Sequence, residues 1–260
     1  MQPSERAARA RTPTRSMKLP PLFLLAGSAV LCGSAHADWE ITLYTGDSHT
    51  FASDLHVQQF NTASDAVFRD VSWAPHPFAL GAPYYGLSVS YFPHSDARLG
   101  GFLDRTHYKM YAETSERVQA RGTWDGAPLS QYALLSERVQ NLQIAHGINL
   151  TALGAQYRWN PTYADGPWEA YVGAGPLVYL PHSEGAINSI PENGGYQYGG
   201  AGGQIFGGTE LSVSRHVALM MESKFDAGSV QLDLDPDARI STAVRTLHLI
   251  GGVTFHFDAW

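Results

Sequence analysis

The sequence predicts an all-β protein, an eight-stranded antiparallel transmembrane barrel of the outer-membrane type. Three observations carry that prediction. Apolar and polar residues alternate with period two along most of the chain after residue 38, which is the strand signal. The connections between the alternating segments alternate in length, long then short, as in outer-membrane barrels. The aromatic residues of the apolar register gather near the short-turn ends, where a membrane girdle sits. Composition agrees: of 260 residues only 16% are charged and 12% are aromatic, with 26 Gly and 13 Tyr. That excludes a coiled coil, a charge-laced bundle and a disordered acidic chain.

The first 37 residues read as a signal peptide and 38–260 as the barrel. Arg6, Arg9, Arg11, Arg15 and Lys18 precede an apolar stretch from Leu22 to Cys32, and Ala35-His36-Ala37 is a small-x-small site. This is the three-part secretory pattern, with Met1 or Met17 as the start. Leu31 just before Cys32 is a poor lipoprotein signal, so cleavage is expected after Ala37. Cys32, the one cysteine, would then leave with the leader, and no disulfide, thiol nucleophile or Cys metal site is expected. Removing five basic residues and one acidic residue leaves 12 Lys+Arg against 23 Asp+Glu, a net charge of −11. Nucleic acid is therefore not an expected partner.

The expected strands are 39–46, 83–92, 99–112, 140–159, 168–180, 198–214, 216–227 and 243–257. The connections 93–98, 160–167 and 215 are short; 47–82, 113–139, 181–197 and 228–242 are long and polar. Strand one sets Trp39, Ile41 and Leu43 against Glu40, Thr42 and Tyr44. Strand two sets Tyr85, Leu87, Val89 and Tyr91 against Gly86, Ser88 and Ser90. Strand seven sets Val217, Leu219, Met221 and Phe225 against Glu222, Lys224 and Asp226. Strand eight sets Leu247, Leu249, Val253, Phe255 and Phe257 against Thr246, His248, Thr254 and His256. Apolar-out and polar-in suits a barrel in lipid. Trp39, Tyr91, Trp159, Trp168 and Phe257 are the expected girdle, and the glycines of strands five and six are expected to relieve crowding in a narrow barrel. The last strand ends at Phe257 or is anchored by Trp260. A soluble sandwich or lipocalin-like barrel is the rival fold, and a mean hydropathy of −0.19 does not separate the two; loop sorting and outward aromatics favour the membrane barrel.

An eight-stranded barrel is filled by side chains, so chemistry is expected at the outer mouth, in the long loops or on the outer wall. The upper strand ends offer Arg105, His107, Lys109 and Tyr111; His146 and Asn149; Tyr179, His182 and Glu184; Glu222, Lys224 and Asp226; Arg245, Thr246 and His248. Glu40, Glu210 and His256 lie lower. One reading is an interior of paired charges, Glu222 with Arg105 or Lys109 and Glu210 with a neighbouring base. The other is a metal site or acid–base pair among His107, His182, Glu184, Glu222 and His248, whose donor types suit Fe, Mn, Co or Zn. No dinucleotide fingerprint, P-loop, His-Glu-x-x-His or Gly-x-Ser-x-Gly element is present. Asp233-Leu-Asp235-Pro-Asp237 lacks the Gly and closing Glu of a calcium loop and reads as solvated.

Several runs resemble the lipid A oxidase family in order. They are Pro83-Tyr84-Tyr85-Gly86-Leu87, then Leu103 to Ala112 with Thr106-His107 at its centre, then Gly147-Ile148-Asn149-Leu150. Ala155-Gln156-Tyr157-Arg158-Trp159, Tyr171-Val172-Gly173-Ala174-Gly175-Pro176 and Pro181-His182-Ser183-Glu184 follow. The resemblance implies oxygen-dependent conversion of the proximal glucosamine of lipid A to 2-aminogluconate with release of hydrogen peroxide, and a divalent metal ion of unspecified identity. With that chemistry, His107, Glu222 and His248 become the catalytic candidates. Lys109, Lys224 and Arg245 become the phosphate-binding candidates, and His107, His182 and Glu184 the metal candidates. The expected partner is lipopolysaccharide of the outer leaflet, the expected state a monomer. Two other readings stand beside it. One is a non-enzymatic structural or adhesive barrel with long acidic surface loops. The other is a small channel for apolar compounds, which the charged interior positions disfavour.

Overall fold

The computed structural model describes residues 37–74, 84–144, 147–159, 166–234 and 236–258. The expected signal peptide, apart from Ala37, and Trp260 lie outside them, as does His146. In chain order the strands are β1 (Asp38–Thr50), β2 (Ser53–Gln59), β3 (Ser64–Val71), β4 (Trp73–Ala74), β5 (Tyr85–Phe92) and β6 (Leu99–His107). They continue with β7 (Met110–Ala112), β8 (Arg117–Trp124), β9 (Ala127–Leu134), β10 (Val139–Ile144), β11 (Leu150–Trp159) and β12 (Trp168–Tyr179). The last five are β13 (His182–Ile187), β14 (Ile190–Tyr196), β15 (Gly200–Ser214), β16 (Val217–Leu234) and β17 (Ala238–Asp258).

Eight of them close a barrel in the order β1-β5-β6-β11-β12-β15-β16-β17, with β17 returning to β1. Every neighbouring pair is antiparallel, and the closing pair is continuous from Asp38↔Asp258 to Thr50↔Thr246. Closure leaves no open edge, the condition for placing a sheet in hydrocarbon. The wall alternates as the sequence predicts. Leu43, Leu87, Leu103, Leu153, Val172, Ile205, Leu219, Met221, Leu247 and Leu249 are exposed on the outside, while Glu40, Thr42, Asp104, Lys224, Asp226, Thr246 and His248 are buried inside. An apolar exterior around a charged interior inverts the soluble arrangement and is that of a transmembrane barrel. At the short-turn end Trp39 pairs in register with both Phe257 and Tyr91, its ring 4.8 Å from that of Tyr91, and Trp159 and Trp168 are exposed nearby in the wall. The expected girdle is present. The crowding expected of a narrow barrel is seen at Gly173, where an added Cβ would lie 2.2 Å from the ring of Phe206.

The long connections differ from expectation. They are mostly strands rather than polar loops. β2, β3, β8 and β9 add to the upper part of β17 and extend the barrel sheet beyond the wall, while β14-β13-β10-β7-β4 form a second sheet. Leu55, Val57, Phe68, Val118, Leu135, Val139, Leu142, Ile187, Leu232, Leu234 and Ile240 are all buried in one core. Such burial between two sheets is the driving force of a sandwich. Polar groups complete the packing: Trp73 Nε1 donates to Ser53 Oγ (2.8 Å) and Trp124 Nε1 to Asn188 Oδ1 (2.9 Å). The barrel therefore carries a folded β-cap on its long-loop side. The expected strands 99–112 and 140–159 each divide in two, because β7 and β10 belong to the cap and β6 and β11 to the wall. The last strand ends at Asp258.

Met221, 73% exposed on the outer wall, tests the solvent assignment. Met221→Arg should cost ~2–4 kcal/mol of folding free energy in lipid vesicles, read as a lower urea midpoint. A soluble fold would tolerate Arg at so exposed a position.

Candidate functional site

The barrel interior is a stack of three polar networks. The upper one joins His248 Nε2 to Asp226 Oδ1, Tyr179 Oη to Asp226 Oδ2 (3.0 Å) and Tyr84 Oη to His248 Nδ1 (2.9 Å). His248 and Asp226 have no exposed surface. The middle one centres on Lys224, whose Nζ donates to Asp104 Oδ2 (2.7 Å) and Tyr44 Oη (3.1 Å) and lies 3.6 Å from Glu222. Tyr44 Oη in turn donates to Asp104 Oδ1 (2.6 Å). The lower one centres on Arg158, which joins Asp38 (2.8 Å) and Glu40 and packs over the ring of Phe92. Buried charges persist where such pairing compensates desolvation. Between the middle and lower networks a cavity of about 20 Å³, lined by Glu40, Asp104, Gln204, Glu210 and Glu222 among others, has room for about one water. These side chains plug the lumen, so the outer-wall and cap residues carry the accessible chemistry.

The period-two alternation decides where the predicted site residues fall. Asp104 and Thr106 of β6 point inward, so Arg105 and His107 lie on the outer face. His107 is thereby separated by the wall from Glu222, Lys224 and His248, and the expected convergence of these residues at one mouth does not form. Arg245 is exposed on the outer face of β17, between inward Val244 and Thr246. Lys109 lies between β6 and β7, where the strand leaves the wall for the cap. Glu222 pairs with Lys224 rather than with Arg105 or Lys109, and Glu210 faces His256 at 3.3 Å.

His107 and His182 both touch Gly147 in the turn before β11, and Glu184 lies beside His182, but the three do not bring donor atoms within 4.8 Å of one another as a metal-ligand set would. His107 stacks on Tyr85 (4.6 Å, 17°), and its Nδ1 lies 3.1 Å from Asn149 Oδ1. Gly147, with φ +93°, leaves room for the imidazole; a Cβ there would lie 2.1 Å from His107 Cε1. The Gly147 carbonyl accepts from Asn149 Nδ2 (3.4 Å) and from the His182 backbone N–H (3.3 Å). His182 Nε2 is 3.7 Å from Glu184 Oε1, and its ring meets Tyr196 edge-on at 4.8 Å. Asn149 turns its NH₂ to the Gly147 carbonyl and its Oδ1 to the Nδ1 of His107, which orients the imidazole. Tyr85 and His107 are register partners on the outer face, one pleat above the pair Leu87 and Arg105 and two above Val89 and Leu103.

The inward Asp104 and Arg158 are the residues that sequence reasoning passed over as charge partners. Arg158 stands alone between the outward aromatics Tyr157 and Trp159, a signal for an inward charge that alternation alone supplies. One set of donor atoms among the described residues lies within 4.8 Å of one another, from Asp38, Glu40 and His256 in the lower network.

No protein-family model and no curated protein sequence matches the chain. Among solved structures it is similar to the outer membrane protein OprG from Pseudomonas aeruginosa (TM-score 0.44, 11% identity, covering 86% of this chain and 98% of that one). It is likewise similar to Neisserial surface protein A (0.40, 12%, covering 86% and 98%) and to the outer membrane protein AlkL in lipid bilayers (0.44, 13%, covering 87% and 93%). With its closed wall and lipid-facing belt, this chain is an outer-membrane barrel, the short turns facing the periplasm and the cap the exterior.

Lys224 is an internal counter-ion. Lys224→Met leaves Asp104 and Glu222 buried without it and should cost ~3–5 kcal/mol of folding free energy, measured by urea unfolding in vesicles. An unchanged midpoint would show that the middle network carries no stability.

Proposed function

We propose that this outer-membrane barrel modifies lipid A by oxidation at the rim between wall and cap. The supporting observation is the placement of His107 and Tyr85 on the outer face at the top of the apolar belt, with His182 and Glu184 joined to them through Gly147. A glycolipid of the outer leaflet holds its sugars at that height, so substrate reaches the site laterally from the membrane. The plugged lumen gives no comparable route. The resemblance to the lipid A oxidase family supplies the reaction.

The reaction oxidises the hemiacetal carbon of the proximal glucosamine. Its C–H and O–H bonds give up two electrons and two protons, O₂ becomes H₂O₂, and the resulting lactone takes up water to give 2-aminogluconate. His107 accepts the hydroxyl proton, oriented by Asn149 and held flat against Tyr85. Arg105, exposed on the outer face one pleat below His107, and Lys109 beside it attract the anionic headgroup. An imidazole and a carboxylate are donors that suit a first-row divalent ion, and His182 and Glu184, 3.7 Å apart, would hold it. Such an ion supplies the redox chemistry that side chains lack.

A second reading rests on the cap. Its buried core and two sheets make a rigid exterior surface, which suits a structural or adhesive barrel.

Mass spectrometry of lipid A from aerobic cells with and without the gene distinguishes the readings. We expect a one-oxygen gain in the proximal sugar, abolished by His107→Ala while heat-modifiable gel mobility stays normal. Identical lipid A in both strains would reject oxidation and leave the adhesive barrel.

A further inference from the structure

We infer that the periplasmic end of the barrel binds a divalent transition-metal ion between Asp38, Glu40 and His256, a site separate from the rim and independent of the oxidation proposed there. The alternation brings Asp38 and Glu40 inward on β1 and His256 inward on β17, and Glu40 and His256 are direct partners in the closing register. Glu169 and Glu210 face one another across β12 and β15 at the same end.

Charge is the first argument. Four carboxylates, from Asp38, Glu40, Glu169 and Glu210, share the space with Arg158 as the permanent cation. The donors of Arg158 are already committed: Nη1 to Asp38 Oδ2 and Glu40, Nε to the Ala97 carbonyl (2.9 Å) and Nη2 to the Ser95 carbonyl (3.0 Å). His256, even as an imidazolium, would offset one more charge and leave two. Buried like charges this close are relieved by protonation of a carboxylate or by a further positive partner, and a bound cation is the second of these.

Geometry is the second. Asp38 is 3% exposed, and its Oδ1 has no hydrogen-bond partner although Oδ2 is held by Arg158. One carboxylate oxygen is thus buried with no donor beside it. Donor atoms from Asp38, Glu40 and His256 lie within 4.8 Å of one another, near the ~4.2 Å limit for two ligands each ~2.1 Å from one ion. Glu210 stands behind His256, its Oε2 3.3 Å from Nε2, and its Oε1 accepts from Thr254 (2.6 Å). A carboxylate behind a ligating imidazole is the usual support of such a nitrogen. Two carboxylates and an imidazole favour Zn²⁺, Mn²⁺ or Fe²⁺ over calcium. His256 keeps 17% of its side chain exposed, which gives an entry path from the short-turn side.

The test is calorimetric titration of the full-length protein, folded in detergent micelles and stripped with chelator, using ZnCl₂ and MnCl₂ as probes. We expect saturable binding whose affinity falls at least tenfold in Asp38→Asn and in His256→Gln and is retained in His107→Ala. Heat-modifiable mobility verifies that each variant is folded, and His256→Gln, which keeps a polar group of similar size, covers the case in which the β1 variant does not fold. Absence of saturable binding, or unchanged affinity in folded His256→Gln, would overturn the site. Loss of binding in His107→Ala with retention in His256→Gln would place the ion at the rim and overturn this proposal alone.

Discussion

Hydrocarbon offers no hydrogen bonds, and the rest of the structure follows from that constraint. Every backbone amide and carbonyl within the membrane must find a partner in the wall, so the sheet must close. The pairing of β1 with β17 from Asp38 to Thr50 performs the closure. Once it is made, period two leaves two faces and two solvents. Residues such as Leu43 and Leu249 meet lipid, and Thr42 and His248 are forced into a narrow interior. The charges inside are thus a consequence of the wall, and each must be matched there.

The matching explains both the rigidity and the limits of the interior. Lys224 spends its charge on Asp104 and Glu222 and Arg158 on Asp38 and Glu40, while a ring nitrogen of His248 meets Asp226. Little space is left over, and no continuous channel is compatible with side chains packed this way. Chemistry on an external substrate has to use the outside of the wall. The strand parity of β6 places His107 there, and the glycine at 147 lets the imidazole lie against the turn that carries Asn149. The lower network gathers Asp38, Glu40 and Glu210 around Arg158 and His256, and the unbonded Oδ1 of Asp38 makes it a place for an ion.

Much of the wall was legible because alternation is a local signal that the fold uses directly. Leu219 and Met221 against Glu222 and Lys224 already distinguish lipid from lumen. The cap was missed although the same signal was present: Leu55 and Val57 alternate with Asp54, His56 and Gln58, yet the density of polar residues in 47–82 read as loop. A sheet with one solvated face is half polar, so composition hid what periodicity showed. Of the rim residues, His107, His182, Glu184 and Asn149 were singled out by residue type, and their neighbour Gly147 by the run around it. The wrong step was to join them to Glu222 and His248. All approach the same end of the barrel along the axis, but they lie on opposite faces, and one residue of strand parity separates Thr106 inside from His107 outside.

The most direct measurement is depth- and face-resolved quenching on β17. Single cysteines placed in turn from 246 to 257, labelled with a small fluorophore and folded into vesicles containing brominated lipid, report which side chains meet hydrocarbon. The account predicts quenching at 247, 249, 253 and 255 and little at 246, 248, 254 and 256. Quenching at the even positions, or none at either set, would contradict a lipid-facing apolar wall and with it the address of the rim site.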